Sequence, residues 1–326
     1  EAVIAFIRSR KSSADIADAV ARFLEFKKTA KGKETERMKQ TRRDLEHLAA
    51  YFPGRPVSDI LEPEISVWWK TRTGTAGNSR AMSIRTMAVM FWSWCRKFGL
   101  VPNVEITEAD KLVTLPVGIG TKFIYTPRHF LRMAATVEPC DRAWVVLQAF
   151  GGFRPEEAAP KSTSDKRGIR AEEIDWRFKM IRVPREVSKT TDNTVPLNDA
   201  LRAWLDWAGI REGMVGPICG RNPAEERLTQ KYGEKVFGKA GWPKDALRHS
   251  YASYRNAELR NLPHLAEEMR TSVRMLNNHY HNPRAEEEGR AWFSHRPEDL
   301  ERVPIWSDED DVTTSGVAGF RPAASA

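Results

Sequence analysis

Four short stretches carry residue types that could meet an anionic ligand. In Gly151-Gly152-Phe153-Arg154-Pro155-Glu156-Glu157 a glycine pair turns the chain out of an apolar helix and sets Arg154 at the start of the next one. Glu157 follows one turn later, so a carboxylate can hold the arginine while its planar fork takes two oxygens of an anion. In Val187-Ser188-Lys189-Thr190-Thr191-Asp192-Asn193 a lysine falls on a turn between two short strands, where its ammonium can swing towards a ligand. Asp245-Ala246-Leu247-Arg248-His249-Ser250 places a second arginine in the first turn of a helix whose Leu247, Tyr251 and Tyr254 are apolar or aromatic. Last, Asn277-Asn278-His279-Tyr280-His281 ends a short helix with a polar-flanked tyrosine that lies on no apolar stripe. Three have a plain reading taken singly: a helix-capping ion pair, a solvated edge lysine, a tyrosine with its hydroxyl in water. The chemistry lies in the set.

The elements around these stretches read as two regions. From Ser12 to Leu100 apolar residues recur at helical spacing: Ile16, Val20, Phe23 and Leu24; then Met38, Leu45, Leu48 and Phe52; then Ile65, Trp68 and Trp69; then Met82, Met87, Phe91, Trp94, Cys95 and Phe98. Four helices are predicted there, and their Met and Trp stripes read as core. Residues 101–125 lose periodicity and read as a linker. A second region opens with helices over 127–136 and 141–150. A β-rich patch follows at Ile174–Trp176, Met180–Val183 and Thr194–Leu197, and helices resume at 198–209, 224–238, 244–258, 262–270, 272–279 and 284–293. The expected division is a tail over 1–12, a helical domain over 13–100, the linker over 101–125, a second domain over 126–297 and an acidic, disordered tail over 298–326.

Composition narrows the partners. The 326 residues are 41% hydrophobic and 29% charged, enough for two cores, with no run of membrane-span length. The N-terminal EAVIAFIRSRKSS lacks the apolar core of a signal peptide, and the three scattered cysteines make no CxxC pair. A cytoplasmic, nucleoid-associated protein with no membrane partner is expected. Net charge is +8, but residues 298–326 hold seven acids against two arginines, so that tail carries −5 and the rest +13. A basic body of this kind suits a phosphate backbone.

The four stretches, in this order and behind a helical first region, resemble the tyrosine recombinases, the phage integrase family, over roughly residues 13–297. The resemblance implies a mainly α fold with a small antiparallel β-sheet: a helical, SAM-like core-binding domain followed by an α+β catalytic domain. It implies site-specific cleavage and rejoining of DNA strands through a 3′-phosphotyrosyl link, as in DNA recombination and integration by mobile elements, with no cofactor and no metal. Tyr280 would be the nucleophile, Arg154 and Arg248 the grip on the non-bridging oxygens, Lys189 the general acid for the 5′-oxygen, and Glu157 the residue that orients Arg154. Two positions depart from the family pattern. Asp245 stands where the family has a histidine three residues before the second arginine, and Arg270-Thr271 stands in place of a Gly-His pair. Thr271 keeps one hydrogen bond to offer and Arg270 is a candidate replacement cation.

Double-stranded DNA is the expected partner, clamped between the two domains, with self-association into dimers or tetramers on it. The backbone contacts would come from Lys31, Lys33, Lys39, Arg42 and Arg43 on the second helix and Arg80 and Arg85 on the fourth. In the family a C-terminal segment often docks on a neighbouring protomer; for this chain, packing of its final helix on its own domain is an equal expectation. Two alternatives stay open: a degenerate recombinase-like DNA-binding protein with little or no strand transfer, and a metal-dependent hydrolase using His249, His264, His279 and His281, although no HxxxH pair frames them.

Overall fold

The computed structural model describes residues 14–31, 36–116, 123–159, 167–188, 192–219, 245–279 and 284–302, with the side chains of residues 30, 31, 36 and 279 left aside. The chain divides into two compact units, residues 1–118 and 119–326, and is mainly α with a small antiparallel sheet.

Among the described residues of the first unit, four helices bury the apolar stripes of the sequence. They are α1 (Ile16–Lys31), α2 (Glu36–Tyr51), α3 (Glu62–Thr73) and α4 (Asn78–Lys97). The Asp15 carboxylate accepts from the Ala17 N–H at 2.7 Å and starts α1. Phe23, Leu45, Leu48, Trp68, Phe91 and Trp92 form the core. Asp44 is buried among them and is satisfied by Arg72 Nε at 2.9 Å and Arg80 Nη2 at 2.5 Å. Phe98, read as core, lies half-exposed past the end of α4 against the Trp94 ring.

The stretch read as a linker is in large part folded onto this unit. Val101, Ala109 and Leu112 are buried in its core, and Arg85 on α4 holds the segment by donating to the carbonyls of Asp110 and Leu112. Isolated apolar residues on an irregular segment plug a helical core without any periodicity to announce it. At the other end, Ile124 and Tyr125 belong to the core of the second unit.

That second unit is organised around one long helix. α5 (Pro127–Thr136) and α6 (Pro139–Gly151) precede the short α7 (Pro155–Ala158). Strands β1 (Ile174–Asp175), β2 (Met180–Val183) and β3 (Asn193–Pro196) form an antiparallel sheet in that order, with Ile181 opposite both Ile174 and Val195. α8 (Asp199–Trp207), α9 (Ala246–Leu259), α10 (Leu262–Glu268), α11 (Val273–His279) and α12 (Glu286–Ser294) follow. The helix predicted over 224–238 lies outside the described residues. Ten residues of α9 are buried, because α6 and α12 both pack on it. Tyr125 is tied to it at two points: its N–H donates to Ser250 Oγ at 2.8 Å and its carbonyl accepts from Tyr254 Oη at 2.9 Å.

The final helix packs on its own unit. Trp292 is buried, stacks on Tyr254 with ring centroids 4.5 Å apart, and donates its indole N–H to the Ala149 carbonyl at 3.0 Å. The first residues of the stretch read as an acidic, disordered tail are folded. Pro297–Arg302 forms a 3-10 turn, Leu300 packs against the core, and the Asp299 carboxylate caps the turn by accepting from the Arg296 N–H at 2.9 Å. A local cap outweighs like-charge composition there. Among the described residues no helix is long and apolar enough to cross a membrane.

Candidate active site

The site is built where α6 stops. Gly152 takes a left-handed conformation (φ 60°, ψ 25°) and turns the chain so that Phe153 is buried and Arg154 enters α7 as its first flanking residue. Pro155 at the first helical position costs no hydrogen bond. Glu157 then folds back on Arg154, accepting from its backbone N–H at 2.8 Å through Oε2 and from Nη1 at 2.7 Å through Oε1. This ring closes within four residues, so a local sequence pattern suffices to make it.

Two distant segments complete the cluster. From the turn after α10, the Arg270 carbonyl accepts from Arg154 Nη2 at 2.7 Å, and Arg270 Nη2 donates to Glu157 Oε2 at 2.6 Å. Arg270 also donates to the Glu268 carbonyl at 3.0 Å and lies over the Phe153 ring at 4.7 Å. From α9, Arg248 donates through Nη1 to the Gly152 carbonyl and through Nη2 to the Met269 carbonyl at 2.7 Å. Arg248 is 1% exposed, and the Arg270 side chain is fully buried, while the Arg154 side chain keeps 20% of its surface open. A second buried carboxylate supports the turn: Glu268 accepts from Tyr251 Oη at 2.9 Å and from Arg255 Nη2 at 2.7 Å, with His264 Nε2 at 3.1 Å.

Burial by itself pushes the Glu157 carboxyl up, but the charge and hydrogen bond of Arg270, then the charges of Arg154 and Arg248, more than reverse that and hold it at about 2. The folded value is depressed, so the stability this group contributes is complete above its ordinary value of 4.5 and is lost as pH falls towards 2. In thermal melts between pH 5 and about 2, the wild type should lose stability more steeply than Glu157→Gln. Parallel curves would mean that Glu157 is not held ionised.

Asp245 takes a left-handed conformation (φ 56°) immediately before α9, where its carbonyl accepts from the His249 N–H at 2.9 Å. Thr271 is half-buried and tied through its backbone N–H to the Ala266 carbonyl at 2.9 Å. Lys189 and Tyr280 lie outside the described residues, as does His281. The structure therefore joins Arg154, Glu157 and Arg248 and adds Arg270, which is no free replacement cation but a buried partner of Glu157. Nothing local in the sequence signals that pairing across more than a hundred positions.

On the first unit, Lys39 and Arg43 are exposed on α2, Arg42 is half-buried, the Lys31 side chain is not described and Lys33 lies outside the described residues. Arg80 and Arg85, read as phosphate contacts, serve the fold: one pairs with buried Asp44, the other anchors the 110–112 segment. An arginine on a helix face is taken up by whichever acceptor folding brings near, and both found internal ones. As for metals, the one group of ligand types close together among the described residues is Glu138, Cys140 and Asp141 at the start of α6, and it shares no residue with the arginine cluster.

No protein-family model matches the chain, and no curated protein does. Solved structures do. A lambda integrase tetramer bound to a Holliday junction aligns over 82% of this chain and 78% of its own, with a TM-score of 0.62 at 13% identity. The Tn1549 transposon integrase (residues 82–397) in complex with circular intermediate DNA aligns over 87% of this chain and 100% of its own, at 0.59 and 14%. XerH site-specific recombinase bound to a palindromic difH substrate, a post-cleavage complex, aligns over 81% and 78%, at 0.54 and 14%.

Proposed function

We propose, from the tyrosine-recombinase fold that this chain shares with those three proteins, that it binds duplex DNA and cleaves and rejoins its strands site-specifically. The observation that carries this reading is the arginine cluster. Arg154 and Arg248 arrive from segments far apart in sequence, are held by carbonyls and by one carboxylate, and keep excess positive charge at one place. Arg154 spends two of a guanidinium's five N–H donors on the protein, and the others can take the non-bridging oxygens of a scissile phosphate.

In this scheme the Tyr280 oxygen attacks phosphorus and the 5′-oxygen leaves. The 3′-phosphotyrosyl bond so formed stores the energy for religation, and no cofactor enters. Lys189 protonates the leaving 5′-oxygen, and the phenolic proton of Tyr280 passes to solvent or a nearby base. Lys39, Arg42 and Arg43 on the first unit supply backbone contacts that position without specifying sequence. Self-association into dimers or tetramers on DNA belongs to the same proposal, as does a place on the nucleoid in the cytoplasm.

One observation favours a second reading, in which the chain binds DNA with little or no strand transfer. Arg248 is almost wholly buried with two donors given to carbonyls, and Asp245 brings a negative charge to the start of the same helix. A covalent-trapping gel separates the two. Wild type and Tyr280→Phe are mixed with nicked duplexes from the DNA flanking the gene, and binding is scored on the same samples across a salt series. The expected result is a denaturant-stable adduct with wild type alone, on top of binding that weakens steeply with salt. Binding by both proteins with no adduct selects the second reading. No salt-dependent binding defeats both.

A further inference from the structure

We propose that Arg270 is a positioning residue of this site: a second counterion on Glu157 that keeps the arginine pair cationic towards a bound DNA phosphate. The proposal rests on the DNA reading above. It starts from a difficulty in that reading. A carboxylate that orients an arginine also cancels its charge, so an isolated Arg154–Glu157 pair presents almost no net field to an anion. Here Arg154 takes Oε1 through its side chain, while Arg270 takes Oε2 at 2.6 Å. Three guanidiniums (Arg154, Arg248, Arg270) against one carboxylate leave a net charge of +2. In a buried site of low effective dielectric that difference is felt strongly.

Arg270 cannot do this by touching the phosphate, since its side chain is fully buried. It acts through two groups. Its guanidinium fixes Glu157, and its carbonyl accepts from Arg154 Nη2 at 2.7 Å, so one residue sets both the charge and the aim of Arg154. The backbone there is left-handed (φ 53°), a region that side chains other than glycine adopt at a cost. The Phe153 ring beneath the guanidinium and the Glu268 carbonyl on its other arm hold it in place. The depressed titration of Glu157 fits the same picture, with Arg154, Arg248 and Arg270 as the charged groups that face it.

The test measures affinity for nicked duplex DNA from the gene's flanks, and for a random duplex of equal length, between pH 8 and about 5. Wild type is compared with Arg270→Met, Arg270→Lys and the double variant Glu157→Gln/Arg270→Met. Methionine keeps the bulk over Phe153 and removes the charge, giving +1; the double variant returns to +2 and leaves no buried carboxylate unpaired. Arg270→Met is expected to bind at least about tenfold more weakly at neutral pH. Its deficit should shrink as pH falls, because Glu157, released from one counterion, takes up a proton more readily than in the wild type. Arg270→Lys and the double variant should recover most of the affinity, the double variant with no such pH-dependent deficit. If Arg270→Met binds like wild type at every pH, or if the double variant is as weak as Arg270→Met, the positioning role is overturned while the DNA reading stands. A wild type that binds no duplex at low salt overturns the DNA reading and this proposal with it.

Discussion

Arg248→Met is expected to slow formation of the covalent DNA adduct by about 10²–10³-fold at saturating protein, the usual consequence of removing a fixed donor from a site of developing negative charge. Methionine nearly preserves volume, so the loss is of charge and hydrogen bonds. Arg248 bonds the carbonyls of Gly152 and Met269, and so ties the turn that presents Arg154 to the turn that presents Arg270. Leaving both carbonyls buried and unpaired costs about 1–3 kcal/mol each. The variant should therefore melt earlier as well as react slowly, and the rates must be read well below its melting temperature. Arg248→Lys separates the two contributions, since lysine restores the charge without the planar fork. It should regain part of the rate and little of the geometry. Adduct formation by Arg248→Met at the wild-type rate would show that the arginine is only a strut between two turns.

Gly152→Ala should lower the melting temperature of the second unit by roughly 5–15 °C, from a loss of about 2–4 kcal/mol. The backbone contributes part, because φ is 60° there and an L residue pays about 1–2 kcal/mol in that region. The larger part is steric. A Cβ on Gly152 would sit 2.5 Å from Cδ1 of Tyr251. That ring has nowhere to go: it is buried, its hydroxyl donates to Glu268, and the Phe293 ring lies edge-on to it at 5.9 Å. Overpacking of this kind costs about 1–3 kcal/mol. Because Gly152 also carries the carbonyl that receives Arg248, the same change should reduce DNA affinity even where the protein remains folded. A calorimetric melt alongside a binding isotherm checks both. An unchanged melt would mean that the turn can move away from α9 and that the site is softer than its hydrogen bonds imply.

These effects bear on what could be read from the chain alone. The four helices of the first unit were legible because an amphipathic helix buried on one side must repeat its apolar residues every three or four positions, and Ile65, Trp68 and Trp69 do so. The Arg154–Glu157 ring was legible for a related reason, as its partners are three residues apart and meet in one turn of backbone. The segment after Val101 was not, because packing against a helical core needs only a few well-placed apolar residues and no period. Nor were the fates of Arg80 and Arg85. A long cationic side chain looks the same in a sequence whether it ends on a DNA phosphate, on Asp44 or on the Leu112 carbonyl.

By itself, then, the sequence determined the helical pattern, the two regions, the basic charge and the order of the chemistry-bearing residues, all of which are local or additive properties of the chain. Tertiary structure alone decided that Arg270 shares the carboxylate of Glu157, that Arg248 is buried between two carbonyls, and that Trp292 closes on Tyr254 in its own unit. Those outcomes depend on which surfaces meet across separations that run from 21 to 113 positions. Such meetings are settled by burial and by the need to pair every buried charge, and no short stretch of sequence contains both partners.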